Sequence, residues 1–215
     1  MRHNKTLHTF GDSHASKEHG SWDSSKMNLP IEIKANWLGP KLMYSFGLDN
    51  KALFSHDTVS EGDIVVFCFG EIDCRCHVGK YAPNWRENID LLVSNYFSSI
   101  QRIAKQYDDL TIAINSVVPP IEREHPRNLW MLPHLKHTPS IGTDLDRVEY
   151  TKYMNLRLAE YCLRYDYVFI DTYKDYSDDN GFLIEELSDE NCHIANPIYV
   201  SNFIIEKILG EKNEF

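Results

Sequence analysis

Three stretches of this chain are apolar on consecutive rather than alternate positions: residues 64–69, 110–114 and 167–170. A strand that is apolar on both faces belongs inside a parallel sheet covered on both sides. A further strand-like run, 6–10, precedes them. Between these runs the period changes. Trp85, Ile89, Leu92, Val93, Tyr96, Ile100, Ile103 and Ala104 fall on one stripe, which predicts a helix over 84–107. Asn84 is expected to cap it, with Glu87 three residues on as in a capping box. A second helix is expected over 144–164, turning Leu145, Val148, Met154, Leu158, Tyr161 and Cys162 toward a core. A last helix starts near Asn196-Pro197, where Asn suits the cap and Pro the first turn, with Val200, Phe203, Ile204 and Ile208 inward.

Strands alternating with helices predict an α/β fold, a three-layer α/β/α sandwich with a mostly parallel central sheet, as one domain over 1–215. Residues 15–60 give no assignable element, although they have room for a helix and a short strand. The segment 119–143 holds five prolines and little periodicity, and is too long for a bare connection, so it is expected to be a functional loop or lid. Ligands of such sheets bind beyond the carboxyl ends of the strands. Ser13, Gly70 to Arg75, Asn115 to Pro120 and His193 should therefore meet at one edge.

Composition narrows the partners. The 215 residues carry a net charge of −10, with 42% hydrophobic and 25% charged positions. That balance fits a globular domain and argues against a nucleic-acid or anionic-membrane partner. No apolar run reaches membrane-spanning length, and Met1 to Lys5 lead into no signal-like stretch. Five cysteines, an odd number, read as reduced thiols and point to a cytoplasmic protein. The oligomeric state is not legible.

The chemistry concentrates at two ends. Gly11-Asp12-Ser13-His14 follows the first strand, and Asp189-Glu190-Asn191-Cys192-His193 lies near the other end. A Gly at a strand end permits a tight turn, which presents the next serine to a substrate. Serine becomes a nucleophile when a base takes its proton, and the base works best when a carboxylate holds it. Ser13 and His193 supply the first two parts, and Asp189 or Glu190 the third. The competing reading is that Ser13 caps a helix.

These motifs resemble the SGNH (GDSL-type) hydrolases, in which an early Ser works with an Asp and a His on one loop near the C-terminus. The resemblance implies their flavodoxin-like sandwich. It implies Ser13 as nucleophile, with its own N–H and that of Gly39 as oxyanion donors. Asp12 and His14, which flank the nucleophile, are candidates for binding the oxyanion or substrate. Gly70-Glu71-Ile72-Asp73 stands where the family has Gly-x-Asn-Asp, so Ile72 replaces an oxyanion donor worth on the order of a hundredfold in rate. Gly70, Asp73, Arg75 and Asn115 are further candidates for the oxyanion or substrate. The family's Asp-x-x-His spacing selects Glu190, whereas residue identity selects Asp189, which is preferred. Similarity to a branch found near glycan assembly enzymes implies an O-acyl, in particular O-acetyl, sugar ester. The activity implied is a serine esterase, with a sugar O-acyltransferase or a weakened glycan-binding module as alternatives. No cofactor or resident metal is implied.

Other chemistry is weighed beside this. Cys74-Arg75-Cys76-His77 with Cys192-His193 has ligands for zinc, but lacks the usual Cys-x-x-Cys spacing. Cys74 or Cys192 as nucleophile is the other thiol option, against buried inert thiols. Asp73 and Arg75 could equally pair with each other. His125, His134 and His137 read as solvated loop residues. Trp22, Trp37 and Trp130 are either core or sugar-stacking residues.

Overall fold

The computed structural model describes residues 5–19, 22–48, 58–123, 140–189 and 191–210. Its sheet has five parallel strands in the order β2-β1-β3-β4-β5. They are β1 (Thr6–Gly11), β2 (Glu32–Trp37), β3 (Ile64–Cys68), β4 (Thr111–Asn115) and β5 (Val168–Ile170). Two of the non-alternating runs are the central strands β3 and β4, buried along nearly their whole length, and the third forms the partly buried edge strand β5. Their side chains divide by parity. Val65 and Phe67 point into one apolar layer, and Ile64, Val66 and Cys68 into the other.

The first layer holds α2 (Met43–Leu48), α4 (Trp85–Ala104) and α5 (Asp144–Tyr165). The second holds α1 (Ser24–Met27), α6 (Tyr173–Tyr176) and α7 (Ile198–Phe203). A short α3 (Glu71–Cys76) follows β3 at the sheet edge. Phe67, fully buried between Phe46, Phe10 and Tyr96, illustrates what holds the first layer. Truncating such a side chain costs about 3–5 kcal/mol.

Several local expectations are corrected. Asn84 makes no side-chain cap to α4. The capping box sits instead on α5, where Thr143 and Asp146 bond reciprocally. Leu145, expected inward, is 66% exposed, because the buried stripe of α5 runs through Asp144, Arg147, Val148 and Thr151 and leaves position 145 off it. The unassigned stretch contains α1, β2 and α2. Strand β2 escaped the sequence reading because it is an edge strand with no fully buried position. Residues 124–139, with most of the proline-rich segment, His125, His134, His137 and Trp130, lie outside the described residues, as does Glu190.

Strand order fixes where a site can form. The chain runs from β1 outward to β2, then returns past β1 to β3 and on to β4 and β5. The connections leaving β1 and β3 therefore part in opposite directions, and a crevice opens between them. Ser13 follows β1 and Gly70 follows β3. Among the described residues, no helix is long and apolar enough to cross a membrane.

Candidate active site

The turn after β1 is set by Gly11. A Cβ there would collide with the Cys68 carbonyl oxygen, to which Asp12 N–H donates at 3.2 Å. Asp12 then caps a 3-10 turn, Ser13–Ala15, its carboxylate accepting from His14 N–H at 2.9 Å. Ser13 is thus held at the crevice and stays half-exposed.

The partner loop closes on itself. Asp189 N–H donates to the His193 carbonyl at 3.0 Å, and Asp189 Oδ1 accepts from the N–H groups of Asn191 and His193 at 3.0 and 3.1 Å. Asp189 Oδ2 lies 2.8 Å from His193 Nδ1, and His193 Nε2 lies 2.8 Å from Ser13 Oγ. Burial pushes the Asp189 carboxyl up, but the His193 ring and these N–H groups outweigh it and hold the group below its usual range. An ionised Asp189 can only accept, so Nδ1 carries the ring proton and Nε2 accepts from the Ser13 hydroxyl. The carboxylate is Asp189, one position farther from the histidine than the Asp-x-x-His spacing asks, since the turn takes up the extra residue.

Two more imidazoles enclose His193. His14 lies on one side at a centroid distance of 4.8 Å, and His19 stacks on the other at 4.4 Å. Beneath them runs a buried charge network. Arg75 clamps Glu71 with two hydrogen bonds, of 2.5 and 3.1 Å, and Glu71 Oε2 lies 3.9 Å from His14 Nε2. Burial opposes ionisation of Glu71, but the Arg75 charge and hydrogen bonds, with the His14 ring nearby, hold it well below the usual range. The sequence reading missed Glu71 and His19 as neighbours of the site. The i,i+4 spacing of Glu71 and Arg75 was the available signal for the first.

The remaining candidates separate. Trp37 pairs with Gly11 in the β1–β2 register, and Leu38 N–H donates to Gly11 O at 2.9 Å. This pairing brings the chain entering Gly39 to the strand end from which the Ser13 turn leaves. Gly39 has φ +80°, a conformation that favours glycine. Gly70 starts α3 at φ 114°, where a Cβ would meet Val117 and Met43. Asp73 neither pairs with Arg75 nor faces the crevice. It is buried and accepts from the N–H groups of Met43 and Tyr44 at 2.8 and 3.3 Å, capping α2, and burial raises it to about 6. It positions the chain behind Gly39 rather than a ligand.

Asn115 ends β4 with its Oδ1 buried and unpartnered, as are Asp12 Oδ2 and both ring nitrogens of His14. These groups line a cavity of about 10 Å³ together with Glu71. Burial pushes Asp12 well above the usual carboxylate range. Ile72 is half-buried on α3 and offers no donor.

Thiol and metal options also separate. All five cysteines are free; Cys74 and Cys162 are in the first apolar layer and Cys68 in the second. Among the described residues, Cys74, Cys76 and His77 belong to no metal-competent cluster, because α3 turns Cys74 into the core. Trp22 is core, whereas Trp37 is 50% exposed, edge-on to His19 at 6.2 Å.

No protein-family model matches the sequence, and no curated protein matches it. Solved structures do. A proposed acylhydrolase from Bacteroides fragilis superposes with a TM-score of 0.65 at 17% identity, covering 98% of this chain and 89% of that one. A GDSL-like lipase from Bacteroides thetaiotaomicron gives 0.57 at 16%, covering 96% and 86%. A carbohydrate acetylesterase from Sinorhizobium meliloti gives 0.56 at 13%, covering 96% and 99%. Matched along nearly its whole length by such structures, this chain carries the three-layer α/β/α fold of the SGNH (GDSL-type) hydrolases.

Proposed function

We propose that the protein is a serine-dependent esterase that removes O-acyl groups, acetyl in particular, from carbohydrate. The observation that carries this reading is the continuous chain from Ser13 Oγ to His193 to Asp189, with both links at 2.8 Å. As Ser13 Oγ bonds to the ester carbonyl carbon, its proton passes to His193 Nε2 and the carbonyl electron pair moves onto oxygen. The N–H groups of Ser13 and Gly39 hold that oxyanion. Collapse breaks the bond to the alcohol oxygen, which takes the proton from His193. Water then repeats the sequence on the acyl-enzyme, releasing the acid.

The structural neighbours include a carbohydrate acetylesterase, and the exposed Trp37 ring beside His19 is suited to stacking on a sugar face. The free cysteines suit a reducing, cytoplasmic compartment. Replacing water by a sugar hydroxyl in the second half makes the same residues an acyltransferase. Ile72 favours one other reading, a glycan-binding module of weakened activity, because the family's third oxyanion donor is absent. Acetylated mono- and oligosaccharides, incubated with the enzyme with and without acceptor sugars, separate the three. Free acetate marks the esterase and acetylated acceptor the transferase. Binding without either product overturns catalysis.

A further inference from the structure

We propose that the catalytic crevice contains an inhibitory site for a thiophilic divalent cation, with Zn²⁺ the fitting ion, built by His14, Cys192 and His193. The three side chains offer ligand atoms that all lie within 4.8 Å of one another. Cys192 Sγ is 3.7 Å from His193 Nε2. Tetrahedral zinc, with bonds of about 2.3 Å to sulfur and 2.0–2.1 Å to nitrogen, holds its sulfur and nitrogen ligands roughly 3.6 Å apart. That pair is already at ligand spacing, and His14 needs a side-chain adjustment of roughly 1 Å to join it.

A second observation points to a ligand independently. His14 is more than nine-tenths buried, yet among the described residues neither of its ring nitrogens has a hydrogen-bond partner. A buried donor or acceptor left unmade costs about 1–3 kcal/mol, so a cation accepting the ring lone pair relieves a standing penalty. Glu71, 3.9 Å from His14 Nε2, is placed as the outer carboxylate that orients many metal-bound histidines.

The consequence for activity follows from one lone pair. His193 Nε2 faces Ser13 Oγ at 2.8 Å, and a metal bound there takes the electron pair that would receive the serine proton. Binding replaces the Cys192 S–H bond by a sulfur–metal bond and releases that proton to the buffer. No oxidant or reductant is involved. The cation is an inhibitor, removable by a chelator, and takes no part in turnover. The inhibition rests on the esterase reading above; the metal site does not.

The test uses Co²⁺ as a spectroscopic probe on the full chain. One equivalent should give a thiolate-to-cobalt charge-transfer band in the near ultraviolet, displaced by Zn²⁺ and absent from Cys192→Ala and Cys192→Ser. In parallel, Zn²⁺ should inhibit ester hydrolysis reversibly by chelator. The inhibition constant, measured against each variant's own metal-free rate, should weaken about tenfold or more in both variants, since even an outer-shell partner is worth that much. A wild-type protein without the band, or a band unchanged in both Cys192 variants, overturns the site. So does inhibition kept in the Cys192 variants and lost in His19→Ala, which moves the cation to the His19, Asp189 and His193 set. If the wild type shows the band but hydrolyses no ester, the metal site stands and the functional reading fails.

Discussion

Two buried carboxylates bracket the β1–β3 pair, and they live in opposite circumstances. At the amino end of the strands, Asp63 accepts from the N–H groups of Thr6 and Ser60, both at 2.9 Å, and sits 3.1 Å from His8 Nε2. Burial pushes its carboxyl up, but those partners outweigh it and leave it below its usual range. At the carboxyl end, Asp12 is equally buried, accepts from His14 N–H alone, and leaves Oδ2 unpartnered, with Glu71 and Asp73 adding like charge. One end of the sheet is a closed knot of satisfied groups. The other keeps polar atoms unsatisfied where the reacting side chains meet. Consistency between levels is relaxed at functional sites, and the contrast supports the proposed site at the carboxyl edge.

The sharpest way to break this contrast is to cut each end and ask what is lost. His193→Ala should lower kcat by at least about 10³-fold, and Asp189→Asn by a similar order, with melting temperature unchanged within the spread of surface substitutions. Glu190→Gln should leave turnover near wild type, because Asp189 already holds His193 Nδ1. Steady-state kinetics with thermal melts checks all three. A large effect of Glu190→Gln would reassign the acid.

Next in size is the opposite end. Asp63→Ala strands His8, the buried Thr6 N–H and the Ser60 N–H, and should cost about 3 kcal/mol of stability in chemical denaturation. The protein that remains folded should keep its kcat. A fall in kcat without a fall in stability would erase the division of labour between the two edges.

The smallest effects are slopes with pH. Asp12 has a raised folded pKa, so its contribution is full below about pH 4, the unfolded range, and is lost as pH rises. Asp63 has a lowered one, so its contribution is present above about pH 4 and is lost as pH falls. Asp12→Asn should therefore flatten the decline in unfolding free energy toward neutral pH. Asp63→Asn should flatten the decline toward acid. Denaturant titrations from acid to neutral pH read both slopes, and slopes of the same sign would contradict the assigned environments.

The runs at β3, β4 and β5 were legible because they are apolar on consecutive positions, and β1 as the strand-like run before Ser13. Strand β2 was hidden because this edge strand carries charged and polar residues and has no fully buried position. Helix α5 was visible from its stripe, its start at 144 included, but Leu145 was turned inward because an apolar residue near the stripe hides that Asp144 and Arg147 occupy the buried face of the first turn. Ser13 and His193 were readable from their motifs. Asp189 was readable by residue type rather than spacing, since loop closure by backbone hydrogen bonds decides which carboxylate reaches the ring. Asp73 was misread because capping a helix 30 residues away leaves no local mark. The packing of His14 and His19 against His193 joins the two ends of the chain, which no local pattern records.

The central claim is that Ser13 is an activated nucleophile. Reaction of the folded protein with a fluorophosphonate probe, followed by mass spectrometry, tests it most directly. The account predicts one phosphonyl adduct on Ser13, absent from Ser13→Ala and slowed by at least about 10³-fold in His193→Ala. An unlabelled wild type, or an adduct at equal rate in His193→Ala, would contradict it.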